Sequence, residues 1–236
     1  MTLRPIFYDT ETTGVKSEKD YIVEIAAYDP LENKTFEKLV KPPLPIPKEA
    51  SDIHGITNEM VEEAPHFGIV GEEFKTFCEG EVVLIAHNND GFDIHFLNAE
   101  FKRHNLLMPE WKFLDSLKWA RKYRPDLPKH SLQFLRELYG FEANNAHRAL
   151  DDVIILYKVF SAMTDDLPLE TIMSLICKPV DLQHMPFGKY QGTPLSQVPK
   201  DYIDWLLKSG SFEKPDNKEL YLKFKSLGLI KSEVLF

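Results

Sequence analysis

A chain of 236 residues and 27.3 kDa, 43% hydrophobic and 28% charged, has material for one large domain or for a medium domain with a small companion, which excludes a disulfide-stapled miniprotein. Its 16 Pro and 11 Gly follow no period, which excludes collagen-like repeats, and no apolar run approaches the roughly 18–20 residues of a membrane span, so a cytoplasmic protein without a membrane partner is expected. The formal charge of -9 is uneven: residues 1–180 carry 20 Lys+Arg against 30 Asp+Glu, residues 181–236 carry 8 against 7, and residues 101–136 gather nine basic side chains against three acidic ones.

In chain order, residues 6–9 read as a buried strand, and residues 21–28 (YIVEIAAY) and 35–40 as two more, a three-stranded meander. Thr57 is placed to cap a short helix through Glu63, residues 71–78 suggest another, and the β-branched residues 82–86 form a fourth strand. Cys78 and Cys177 have no CxxC or Cys/His spacing, so neither a disulfide framework nor a zinc site is expected, and both read as buried thiols. The period then changes. Residues 93–104 set Ile94, Leu97 and Phe101 at helical spacing, residues 112–114 suit a short strand, residues 131–138 a helix closed by Gly140, and a long helix runs from about His147 to Met163. Strands followed by interleaved helices predict an α/β domain over residues 1–166. Residues 167–183, with Pro168 and Pro179 around an apolar helix at 169–176, read as a packed connector. Residues 184–236 read as a small α+β module with little core of its own: a hairpin at 185–195, a helix from Pro199 through Leu207, and a last helix at 217–227.

Three segments carry chemistry. At the end of the first strand, FYDTETTG places Asp9 and Glu11 on one strand face, about 6.6 Å apart by strand geometry, within reach of one ion cluster. Asp93 lies in HNNDGFDIHFL between a strand and a helix, where helix capping is the competing role. In NAHRALDDV, His147, Asp151 and Asp152 open the long helix; on an ideal helix His147 shares a face with Asp151, so a site that uses Asp152 requires His147 in a loop or frayed turn.

Together these segments resemble the DEDDh 3′-to-5′ exonucleases, and the resemblance extends to His54-Gly-Ile-Thr and to HSLQFL at 130–135, in the expected order over residues 1–163. The spacing from His87 to Asp93 is one residue longer than in proofreading subunits of bacterial replicative polymerases, and MPFGKYQGTPLSQVPKDYIDWLL resembles the tail module of exodeoxyribonuclease X-like proteins. The resemblance implies a ribonuclease H-like mixed sheet flanked by helices. It also implies Asp9, Glu11, Asp93 and Asp152 as ligands of two Mg²⁺ or Mn²⁺ ions, and His147 as general base. Thr12, Thr13, His54 and Asn88 would line the pocket for the terminal nucleotide. The expected activity is exodeoxyribonuclease cleavage at single-stranded DNA 3′ ends, releasing nucleoside 5′-monophosphates in repair or end trimming. The alternatives are an exoribonuclease acting on RNA, a polymerase proofreading subunit, and a non-catalytic nucleic-acid-binding adaptor. The net charge gives a polyanion no general attraction, so the basic residues at 101–136 are the expected track for it. Among Phe187, Tyr190, Tyr202 and Trp205, packing into a mini-core weighs more than base stacking, and the terminal EVLF faintly resembles a sliding-clamp peptide without its glutamine.

Overall fold

The apolar runs become a five-stranded sheet in the computed structural model, which describes residues 3–142, 148–178, 182–213 and 217–230. The strands are β1 (Arg4–Thr12), β2 (Ile22–Asp29), β3 (Lys34–Leu39), β4 (Val82–Ala86) and β5 (Lys112–Asp115), in the order β3-β2-β1-β4-β5. The first three form an antiparallel meander, whereas β1, β4 and β5 run parallel. Around them lie α1 (Lys48–His54), α2 (Phe67–Phe77), α3 (Asp93–Arg103), α4 (Ser116–Tyr123), α5 (Leu132–Leu138), α6 (Ala149–Thr164) and α7 (Leu169–Cys177). This is the expected α/β, ribonuclease H-like architecture.

The continuous burial of β2 and β4 follows from helices on both faces. Ile6, Tyr8, Ile25 and Leu84 pack on one face against Phe74 of α2 and Phe96, Leu97 and Phe101 of α3. Phe7, Ala26, Val83 and Ile85 pack on the other against Val153, Leu156 and Phe160 of α6 and Ile172 of α7. Pairing of β1 with β4 ends at Phe7↔Ile85, whereas β2 follows β1 to Thr12. The last five residues of β1 therefore overhang β4.

Several elements depart from expectation. Residues 58–63 form turns, and the helix in this region is α1, which starts after Pro47 and ends at Gly55 with φ 73°. α2 begins at Phe67, four residues before expectation, because the His66 ring accepts a hydrogen bond from Gly68 N. Residues 116–123 were not expected to be helical. α4 forms there because the Asp115 carboxylate accepts from Leu117 N and Lys118 N and caps it. Cys78 is buried as expected, but Cys177, at the end of α7, is exposed.

The chain divides into two units, residues 1–176 and 177–236. The second contains α8 (Lys200–Lys208) and α9 (Lys218–Ser226). Its expected hairpin is reduced to a bridge, His184↔Pro194, around a single-turn helix at Gly188–Tyr190. Contrary to expectation the unit has its own core: Met185, Leu195, Val198, Ile203, Leu206, Leu220, Phe224 and Ile230 are all buried together. Phe187, Tyr190 and Tyr202 pack at its margin, while Trp205 stays 55% exposed. Among the described residues no helix is long and apolar enough to cross a membrane.

Candidate active site

Alternation along β1 sends Phe7, Asp9 and Glu11 toward the α6 layer, and Asp152, in the first turn of α6, meets the two acids there. One carboxylate oxygen from each of Asp9, Glu11 and Asp152 lies within 4.8 Å of the others. Asp151 is not part of this trio. Asp93 belongs to the opposite layer, at the start of α3, and its Oδ1 accepts from Thr10 Oγ1 at 2.8 Å. The overhang of β1 removes the strand that would separate the layers, so Asp93 comes close enough to act on Asp9 electrostatically. The structure thus gathers three of the four expected ligands and sets the fourth beside them. His147 lies outside the described residues.

The cluster resists ionisation. Burial, then the charges of Asp93, Glu11 and Asp152, hold the Asp9 carboxyl well above its ordinary range. Burial, then Asp152 and Glu24, push Glu11 up to about 8, against a lowering influence from Arg148. Burial also carries Asp93 to about 7 although the Thr10 hydrogen bond favours its anion. Hard oxygen donors that repel one another when ionised are the donor set a divalent cation neutralises, so these residues fit a divalent metal ion.

Sequence reasoning missed the supports of this cluster. Glu24 on β2 faces Glu11 directly across the sheet and is fully buried. Two like charges opposite one another destabilise a sheet, and here Arg148 compensates: its NH2 reaches Glu24 at 2.9 Å, while Ala149 N donates to the same carboxylate at 3.0 Å. Glu24 thereby ties down the start of α6, and Asp152 N donates to Arg148 O at 3.1 Å. From α5, Gln133 Nε2 donates to Asp152 Oδ1 at 3.0 Å. A lone acid inside the apolar strand YIVEIAAY was the available signal for Glu24; Gln133 had none apart from its place in HSLQFL.

Of the expected pocket residues, Thr12 ends β1 and Asn88 lies just after β4. Thr12 Oγ1 donates to Gly14 O, and Thr13 Oγ1 accepts from Tyr21 N, so both buried hydroxyls close the turn that leads to β2. His54 is buried at the end of α1 with Nδ1 accepting from Ile56 N. Asn88 adopts a left-handed conformation, φ 72°, held by its N–H donating to Asp115 Oδ1; Asp90 N donates to the other oxygen of that carboxylate. Asp115 was also missed as an organiser.

With that geometry in hand, residues 6–160 match the family model described as "Exonuclease". This chain belongs to the exonuclease family. The exonuclease is 38% identical over 184 residues to Exonuclease DPD1, chloroplastic/mitochondrial, of Arabidopsis thaliana, covering 71% of the present chain and 58% of the relative. It is 36% identical over 162 residues to the DNA polymerase III subunit epsilon of Treponema pallidum, covering 66% of the present chain and 74% of the relative. Among solved structures, Exonuclease X in complex with 5′ overhanging duplex DNA aligns with a TM-score of 0.55 at 27% identity, covering 73% of this chain and 99% of that one. The E. coli ExoI–ssDNA complex aligns at 0.62 and 20% identity, covering 74% and 43%, a likeness of fold. Residues 175–220 match a further family model, "Putative quorum-sensing-regulated virulence factor". The chain thus spans little more than half the length of the first of these relatives, with the family's domain at residues 6–160.

The basic residues at 101–136 do structural work first. Arg103 donates to Asp20 O and Ser17 O and lies over the Tyr21 ring at 4.4 Å. Lys122 donates to Leu175 O, Arg124 pairs with Asp126, and Arg136 reaches Gln133, Phe141 O and Glu137. Lys112 and Lys118 face Glu81 and Asp90 at 3.8 and 3.5 Å. Six of the nine are engaged in this way, while Lys112 and Lys118 keep half or more of their side chains exposed.

Proposed function

We propose that this exonuclease is a divalent-metal-dependent 3′-to-5′ exodeoxyribonuclease that releases nucleoside 5′-monophosphates, with two ions of Mg²⁺ or Mn²⁺. The observation that carries the reading is the convergence of Asp9, Glu11 and Asp152 from β1 and α6, with Asp93 beside them. Bound ions supply Lewis acidity and charge neutralisation to phosphodiester hydrolysis. Asp9, Glu11 and Asp152 would hold them with Asp93 as a fourth carboxylate, and four ionised acids would bring -4 against +4. His147 takes the proton from the attacking water, a duty for which imidazole is the commonest side chain. The P–O bond to the 3′ oxygen breaks as the bond from water to phosphorus forms. Thr12, Thr13, His54 and Asn88 shape the pocket of the terminal nucleotide.

DNA is favoured as substrate because Exonuclease X and ExoI carry DNA in their solved complexes and a relative is a DNA polymerase III subunit. The match to 74% of that epsilon subunit supports a second reading, a proofreading partner of a polymerase. In our reading the enzyme acts alone on 3′ ends in repair or end trimming. The test uses 5′-labelled DNA and RNA, single- and double-stranded, with Mg²⁺, with Mn²⁺ and with chelator. Single-stranded DNA should shorten one nucleotide at a time, in metal only. Internal fragments, or shortening of RNA alone, overturn the proposal, and co-elution with a polymerase whose error rate it lowers supports proofreading.

A further inference from the structure

The second unit carries an aromatic stack whose inner rings, Tyr190 and Tyr202, pack on the core and whose outer ring, Trp205, does not. On α8, Tyr202 and Trp205 stand three residues apart, and their rings stack at 5.5 Å with 19° between planes. Tyr190 meets Tyr202 edge-on at 4.8 Å, and Lys189 Nζ lies 5.5 Å from the Tyr190 ring centre. The platform is built rather than incidental. Gly188 turns at φ 75°, and a Cβ there would overlap the Tyr202 hydroxyl, so the FGKYQG turn is fitted against the ring that supports Trp205. Trp111 and Trp119 are 9% and 3% exposed; Trp205 is 55% exposed and presents its indole to solvent.

We propose that Trp205, backed by Tyr202, is a stacking platform for an unpaired base of single-stranded nucleic acid, with Lys189 close by for the backbone. A flat, exposed π-face on a fixed ring accepts another flat π-system without regard to base identity. Charge agrees with this occupant: residues 177–236 hold nine Lys and seven acids, whereas residues 1–176 hold 19 basic against 30 acidic side chains. Helix α8 itself mixes Lys200 and Lys208 with Asp201 and Asp204, so the site draws on bases more than on phosphates and its salt dependence is shallow. The choice of nucleic acid rests on the functional reading above; the stacking geometry does not.

The test uses the full chain in chelator, so that binding is read without turnover. Tryptophan fluorescence is followed while oligothymidylate of about 20 nucleotides is added, on the site-size scale of single-strand binders. Quenching is expected. Trp205→Ala should weaken binding, read by anisotropy of labelled oligomer, about tenfold, and Trp205→Phe about threefold or less, as stacking contributions imply. An abasic sugar–phosphate oligomer of equal length should neither quench nor compete. Affinity unchanged in Trp205→Ala, with circular dichroism confirming its fold, overturns the proposal, as does an abasic oligomer that binds equally well. Loss of self-association in that variant without any effect of DNA would assign the platform to protein contact and overturn it too. Quenching by a chain that never shortens DNA in Mg²⁺ would sink the exonuclease reading and leave the platform standing.

Discussion

The two partners of the Glu24–Arg148 pair should be unequal under mutation. Glu24 is fully buried, whereas the Arg148 side chain is 40% exposed and has a second acid, Glu37, at 3.6 Å. Arg148→Leu leaves a buried carboxylate opposite Glu11 with the Ala149 N–H as its nearest support, and a buried charge that loses its partner costs about 3–5 kcal/mol. It also removes the cation that lowers the Glu11 pKa, so the Glu11 anion loses a favourable partner. Glu24→Leu strands the Ala149 N–H, about 1–3 kcal/mol, but leaves Arg148 to Glu37 and water and removes a charge that raises both Asp9 and Glu11. The expected difference is about 2 kcal/mol, with Arg148→Leu the worse. Urea unfolding of metal-free protein near pH 8 measures it, and the double variant should fall near Glu24→Leu alone. Equal costs, or a larger cost for Glu24→Leu, would refute the argument that the arginine is present to neutralise the acid.

Other expectations are separable from this one. Glu11 and Asp93 titrate at about 8 and 7 when folded, above their unfolded values of 4.5 and 3.8. The folded chain therefore holds protons that the unfolded chain has released, and metal-free stability should fall as pH rises from about 4 to about 8. In chelator the Tm should be lower near pH 8 than near pH 5.5, and Mn²⁺ should raise it more at the higher pH; a Tm that climbs with pH in chelator contradicts the cluster. Asp152→Asn should abolish turnover and weaken Mn²⁺ binding by calorimetry by at least about tenfold; undiminished metal affinity would remove Asp152 from the ligand set. Gln133→Leu removes the side-chain amide that donates to the Asp152 carboxylate and should lower kcat about tenfold with little change in KM, whereas a pure KM effect would place Gln133 against substrate. Gly188→Ala should destabilise the second unit by about 1–3 kcal/mol, and Tyr202→Phe, which removes the overlapping hydroxyl, should recover part of that in thermal melts.

Much of this fold was legible because the sheet is covered on both faces. Continuous apolar strands and 3.6-residue periodicity are strong signals when burial is two-sided, and residues 82–86 and 93–103 stand where the pattern puts them. The misread pieces depended on side-chain caps or short-range geometry. α4 owes its start to Asp115, and the choice of α1 over a helix at 57–63 turned on Pro47 and Gly55. At the site, alternation alone put Asp9 and Glu11 on one strand face, and the family pattern marked them as ligands. Choosing Asp152 over Asp151 needed the family pattern, because the register of a helix start is invisible until its first residue is fixed at Ala149. Glu24, Gln133 and Asp115 were hidden for a different reason: each acts across a separation of 19 residues or more, where no local pattern reports the contact.

The free end of β1 has an effect on robustness. Elsewhere the sheet insulates one helical layer from the other, but past Ile85 an acid from α3 and an acid from α6 both reach the same strand. Damage to the aromatic packing beneath α3, at Phe96, Phe101 or Trp111, would thus be felt by the clustered carboxylates without any of them being touched. Variants far from the chemistry should then present as metal-affinity defects before they present as unfolding.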